Sequence, residues 1–313
     1  MTKYGSNLKK GTWLMAAVLA SFITACSQDS IFGSPQGSGS SANAGPAGTG
    51  PNLGAAAAFG GLGGGAAGMT NAGTLTVITG AQGQPVSIGT TGASTLVTGF
   101  HSNSVPYAPP NGCIYTEVLG ANIGAVSGPI NTAPPAPNPP SCVVEGTATT
   151  FAAAQAAQLA AQQAFNDLSP ASRPGATDPG QNLGGLTLAP GIYAHSAGSF
   201  LITGSDLTLD AGGNANAVWV FQMASSLTVG APGAPRSVIL VGGAQPKNVF
   251  WQVGSAATVN ASGGGTMVGT IISSAAISFG TNNATPLNTL NGRALALNAS
   301  VTLNNTVINV PAP

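Results

Sequence analysis

The sequence predicts an all-β chain wound as a β-solenoid of roughly triangular cross-section, with one long α-helix packed alongside. Three observations point there. After residue 180, short runs alternate apolar and polar residues between Gly, Asn and Pro, the signature of brief strands. These runs repeat: Phe221-Gln222-Met223 through Val229 matches Trp251-Gln252-Val253 through Val259 thirty residues later without a gap. Leu207-Thr208-Leu209, Ile277-Ser278-Phe279 and Val301-Thr302-Leu303 echo the same pattern at offsets of 20 to 24. Periods of about 20 to 30 residues mark a solenoid, and three strands of about five residues with their corners fill one coil. Finally, one segment alone reads as a long helix.

From the start of the chain, residues 1–25 read as a secretory signal. Lys3, Lys9 and Lys10 precede an apolar stretch, Trp13 to Ile23, that is too short to span a membrane. Ile23-Thr24-Ala25-Cys26 resembles the lipobox of bacterial lipoproteins, which implies cleavage before Cys26 and a diacylglyceryl group on its thiol. Ser27 after it, rather than Asp, implies the outer membrane. Residues 26–50 form a flexible Gly/Ser/Pro/Ala tether with a reach of roughly 25 to 30 Å. The solenoid domain is assigned to residues 51–313, interrupted by an insertion over about 101–148. Cys113 and Cys142 lie in that insertion on either side of a Pro-rich run. In an oxidising compartment they are expected to pair, with free thiols the alternative.

The helix is expected over about 150–168, opened by a Thr cap and stopped by Pro170. Phe151, Ala154, Ala157, Ala161, Phe165 and Leu168 recur at spacings of three and four, giving one apolar face of mostly small side chains. Such a face lies close against a flat surface. Val218-Trp219-Val220-Phe221 and Val249-Phe250-Trp251 are apolar at every position, as a sheet buried on both sides requires, so the helix should dock there.

In the rungs, the inner positions are Leu207/Leu209, Leu227/Val229, Ala257/Val259, Ile277/Phe279 and Val301/Leu303, all apolar. The outer positions form a ladder of small polar groups: Thr208, Ser226, Thr228, Thr258, Asn260, Ser278, Ser300, Thr302 and Asn304. A second candidate face, Thr266/Val268/Thr270/Ile272, is more mixed.

Composition narrows the function. Charged residues are 4% of 313, seven of each sign, and aromatics are 5%. Removing residues 1–25 leaves four positive and seven negative side chains. Without a basic cluster, the electrostatic term that nucleic-acid binding needs is missing. Only His101 and His195 supply imidazoles, and Glu117, Glu145, Asp167, Asp178, Asp206 and Asp210 show no repeated pairing, so neither catalysis nor a metal set is expected. His195 reads as structural, Asp206 and Asp210 as turn residues, Arg293 as a cap for carbonyls at a coil corner, and Lys247 as a solvated turn residue. The run Gly61 to Gly68 lacks the Lys of a phosphate loop. No cofactor is implied, membrane contact is expected only through the N-terminal lipid, and a monomer is expected.

Several stretches together resemble the bacterial and fungal ice-binding proteins of the DUF3494 type. They are LAPGIYAHSAG (188–198), LTLDAGGNANAVWVFQMASSLTV (207–229), GGAQPKNVFWQVGSAATV (242–259), GTIISSAAISFG (269–280) and NGRALALNASVTLNN (291–305). A weaker echo of the family's start lies in Asn52 to Ala56 with Phe59, in Val77 to Gly80, and in Val97 to Phe100. The resemblance implies a right-handed, discontinuous β-solenoid with a long helix beside it, and ice binding through one flat face. Exposed β-rungs favour Thr for purely structural reasons as well. The alternative function is a non-ice surface adhesin, or a structural lipoprotein domain that binds a polysaccharide or another surface. Sugar-binding faces expose aromatics, whereas Trp219, Trp251, Phe221 and Phe250 fall in runs that read as buried.

Overall fold

Alternation with a period of two buries one side of a strand, and a coil of three such strands points every buried side at a common axis. The computed structural model describes residues 48–65, 67–102, 124–135, 146–231, 233–280 and 287–312. In it every pairing between strands is parallel. The strands make three faces around one apolar core.

The first face is a seven-stranded sheet in the order Phe200–Ile202, Leu227–Val229, Ala257–Val259, Ile277–Phe279, Val301–Leu303, Met69–Asn71 and Val97–Thr98. The second carries Gly191–Ala194, Trp219–Met223, Val249–Val253, the later halves of Thr266–Ser273 and Asn288–Ala296, then Phe59–Gly63, Ser87–Ala93 and Ile130–Ala133. The third is split. A three-stranded sheet joins Thr187–Leu188, Leu207–Asp210 and Val238–Val241, while the early halves of the two long strands continue into Thr306–Val310, Val77–Gly80, Gly124–Val126 and Phe100–Ser102.

All ten expected inner residues are buried. Within this core Tyr193, Phe221 and Trp251 stack on successive rungs, with ring centroids 5.5 and 4.0 Å apart. Parallel register places like on like, so each aromatic lies over the next.

The helix spans Ala148–Asp167, two residues earlier at its start than the sequence reading, because Thr147 is the cap. The Thr147 side chain accepts from the Thr150 N–H, and the Thr150 side chain returns a bond to the Thr147 N–H, a reciprocal capping box. Ala157, Ala160, Ala161 and Ala164 form one buried cluster with Val218, Val220, Phe250, Ile272 and Leu295 on the second face. The helix lies closest to Gly54–Ala58, Ser87–Ala93 and Ile130–Ala133, and only its apolar cluster reaches Val218, Val220 and Phe250 of the expected docking runs; Phe151 and Phe165 are half-buried. Ala side chains let the helix approach closely, and they lose no side-chain entropy.

The coil order departs from the sequence reading in two ways. Leu207-Thr208-Leu209 is not the rung beneath Leu227: Leu227 pairs with Phe200, whereas Leu207 pairs with Val238 on the third face. Thr208 therefore leaves the expected ladder. In addition, the first third of the chain stacks beyond the last coil, because Met69 pairs with Val301 and Val77 with Val307. This is the discontinuity of the solenoid. The Gly run is where the early chain threads against the last coil: a Cβ on Gly64 would stand 2.0 Å from the Leu297 carbonyl carbon, and one on Gly68 1.7 Å from the Leu96 oxygen.

Candidate functional site: the threonine face

On the first face each strand holds three positions or fewer, with the outer one between two buried ones. Pairing runs without a register shift from Leu201 to Thr228, Thr258, Ser278, Thr302, Thr70 and Thr98. Six consecutive rungs thus present a hydroxyl in one straight column, at the rung spacing of about 4.8 Å. Thr258 and Thr70 are exposed and the others half-buried. Thr98 and Thr70 are close enough to share a hydrogen bond of 3.3 Å. A second outer column, two positions earlier on each strand, contains Ser199, Ser226, Ala256, Ala276, Ser300, Gly68 and Leu96. Apart from Leu96 at the end it holds only small side chains, so little stands above the threonines.

Ser226, Thr228, Thr258, Ser278, Ser300 and Thr302 lie on this face, as the sequence suggests. Asn260 and Asn304 do not: both are buried at the corner, 1% and 3% exposed. Asn260 has a positive φ of 44°, which turns its amide inward, where it accepts from the Arg236 N–H at 2.8 Å and donates to the Arg236 carbonyl at 2.9 Å. Asn304 sits at the equivalent corner two coils on. Alternation alone would put both outside; the corner overrides it, through the positive φ of Asn260 itself and, one residue after Asn304, that of Asn305 (46°).

Thr70 and Thr98 were missed from the ladder. Their signal was present, since Met69-Thr70-Asn71 and Val97-Thr98 repeat the apolar-Thr motif. Placing them needs the long-range pairing of Met69 with Val301.

The second candidate face does not exist as one surface. Thr266 is on the third face, Val268 is buried, and Thr270 and Ile272 are buried beneath the helix side. The third face carries Thr187, Thr208 and Ile239 in one column, and Thr266, Thr289, Val307 and Val77 in another. Ile239, Val241 and Val77 are exposed there.

The charged and polar residues occupy edges. Asp210 accepts from the Gly212 N–H at 2.9 Å, the turn role read from sequence, whereas Asp206 accepts from the Ser237 N–H of the neighbouring coil at 2.8 Å. His195 does have a partner: its Nδ1 lies 2.8 Å from an Asp178 oxygen. That hydrogen bond, with one from the Gly180 N–H, lowers the Asp178 pKa below 3.8. Arg293 caps carbonyls, donating from Nε to Ala57 at 3.0 Å and from Nη2 to Pro311 at 3.3 Å. Cys26, Cys113 and Cys142 lie outside the described residues. Among the described residues no group of three or more His, Cys, Asp or Glu side chains converges, and no helix is long and apolar enough to cross a membrane.

A discontinuous parallel β-solenoid with a capped helix along one face and an uncharged hydroxyl column along another defines the class of fold to which this chain belongs. The chain belongs to the Ice-binding-like family, whose model matches residues 64–309. It is 37% identical over 191 residues to an ice-binding protein of Nostoc sp. (strain HG1), covering 61% of this chain and 63% of that protein. To an ice-binding protein of Flavobacterium frigoris (strain PS1) it is 36% identical over 129 residues, 41% of each chain. The matches thus span less than two thirds of these relatives. Among solved structures, the ice-binding protein of the Antarctic ascomycete Antarctomyces psychrotrophicus superposes with a TM-score of 0.61 at 30% identity, over 85% of this chain and all of that one.

Proposed function

We propose that this protein binds ice, and that it does so through the face bearing Thr70, Thr98, Thr228, Thr258, Ser278 and Thr302, flanked by Ser226 and Ser300. The observation that carries the reading is the unshifted column of six hydroxyl rungs on one continuous sheet. A rigid parallel sheet holds its hydroxyls at a repeating distance, and the Thr methyls order the water between them. The lack of charge on the face supports the same reading, because ionic groups hold their own hydration shells. Family membership supports ice as the ligand over an adhesin's polysaccharide, as does the burial of Trp219, Trp251, Phe221 and Phe250. No chemical step is involved; binding is by surface complementarity.

The N-terminal pattern supports delivery outside the cytoplasm, with lipid on Cys26 holding the domain at the envelope through the 26–50 tether, and a Cys113–Cys142 bridge in the insertion. The test of function is thermal hysteresis and inhibition of ice recrystallisation, with the parent compared against Thr228→Tyr and Thr258→Tyr. Parent activity lost in both variants with unchanged melting temperature is the expected result. A parent without any effect on ice growth would falsify the reading and leave adhesion ahead. Activity retained in both variants would move the site to another face.

A further inference from the structure

A cleft of about 430 Å³ opens at the C-terminal end of the helix, between Phe165 and Pro170 on one side and a corner of the second face on the other. Its size is that of a small-ligand site, roughly 300 to 1,000 Å³. Register assembles its floor. Ala194, Gln222, Gln252 and Ile272 pair in turn on adjacent rungs, so the residues two further on, Ser196, Ala224, Gly254 and Ser274, stack at one corner. Gln222 and Gln252 follow Val220 and Phe250 by two positions, which puts their side chains on the same outer side that the helix covers.

Gln252 carries the argument. It is 6% exposed, yet its amide has no hydrogen-bond partner among the described residues, and neither amide atom is sealed from solvent. A buried amide holds two donors and an acceptor that must be met. Gln222 on the neighbouring rung shows the contrast. Its Nε2 donates to the Leu168 and Arg173 carbonyls, both at 2.9 Å, which pins the chain after the helix, while its Oε1 has no partner. Unmet buried amides cost stability, and a ligand that meets them recovers it.

The lining defines the ligand. Among the described residues that line the cleft, none is Asp, Glu, Lys or Arg, which suits an uncharged molecule. Half-buried Phe165 and exposed Pro170 form an apolar wall, and Ser196 and Ser274 bring hydroxyls. A carboxamide matches two adjacent hydroxyls of a sugar, donating to one oxygen and accepting from the next. A peptide fits less well, because it joins a sheet by adding a strand, and Trp219–Met223 and Val249–Val253 already pair on both sides.

We infer that this cleft binds one pyranose unit of a neutral carbohydrate, with the Gln252 amide bridging two adjacent hydroxyls and Phe165 against the C–H face of the ring. The unit can be a free hexose or the end of a polysaccharide. The cleft lies on the second face, so the inference stands apart from ice binding by the threonine face.

The experiment is calorimetric titration of the whole protein with glucose, galactose and mannose, then with a neutral tetrasaccharide of each, using glycerol and triglycine as controls. The expected result is saturable binding of at least one sugar and none of either control. Binding of a hexose shows that the free sugar suffices; binding of a tetrasaccharide alone identifies the polymer. Gln252→Leu should weaken binding about tenfold, as expected for two lost hydrogen bonds, with the melting temperature of the unliganded protein not lowered. Ala224→Trp fills the cleft from an exposed position and should abolish binding with the fold intact, whereas Thr258→Tyr should leave it unchanged. No saturable binding of any sugar, equal binding of glycerol or triglycine, or undiminished binding by Ala224→Trp or by a folded Gln252→Leu overturns the inference.

Discussion

The first and third faces are made by the same coils, and they differ in what stands outside. On the first, one continuous sheet presents six hydroxyl rungs with small residues beside them. On the third, the sheet is split between Val238–Val241 and Thr266–Ser273, and Ile239, Val241 and Val77 protrude among the threonines. Both faces have the same buried side. Threonine content alone therefore does not make a binding surface; unbroken register and low neighbours do. Every coil passes through both faces, so a change on one leaves the scaffold of the other intact.

The largest effect should come from within the column. Thr258→Tyr raises a ring above the plane at one of its two exposed rungs and should remove most thermal hysteresis, whereas Thr208→Tyr on the third face should leave it within error. Equal loss from both would erase the distinction between the faces.

Next comes the corner that borders the first face. Asn260→Ala removes two hydrogen bonds to the Arg236 backbone at a buried site, and it should cost about 1 to 3 kcal/mol in denaturant unfolding. If stability is unchanged while ice activity falls, Asn260 is a surface residue after all.

A smaller change would sharpen the comparison by gain. Leu201 occupies the column's first rung, pairing with Thr228, so Leu201→Thr lengthens the hydroxyl column to seven. Thermal hysteresis should rise modestly, with stability altered by no more than about 0.5 kcal/mol. No gain would mean that the central rungs alone make contact.

The smallest effect concerns an edge shared by neither face. The Asp178 pKa is held below 3.8 by His195, so the pair's contribution is present above that pH and is lost as the pH falls through the lower folded value. Asp178→Asn should flatten that acid limb in a pH series of melting temperatures and leave ice activity untouched.

Much of this architecture is legible in the sequence because it rests on local periodicity. A period of two names the buried residues of each rung whatever coil lies above or below it, and the Ala-rich stripe on the helix together with the doubly apolar runs around Trp219 and Trp251 names part of the docking surface. The order of the coils is another matter. Backbone hydrogen bonds between parallel coils carry no residue code, so nothing local says that Leu227 rests on Phe200 rather than Leu207, or that Met69 rests on Val301 across more than two hundred residues. Those pairings removed Thr208 from the column and added Thr70 and Thr98. Asn260 likewise escaped the pattern, because strand alternation ends where φ turns positive, and only the closed corner reveals which way its amide faces.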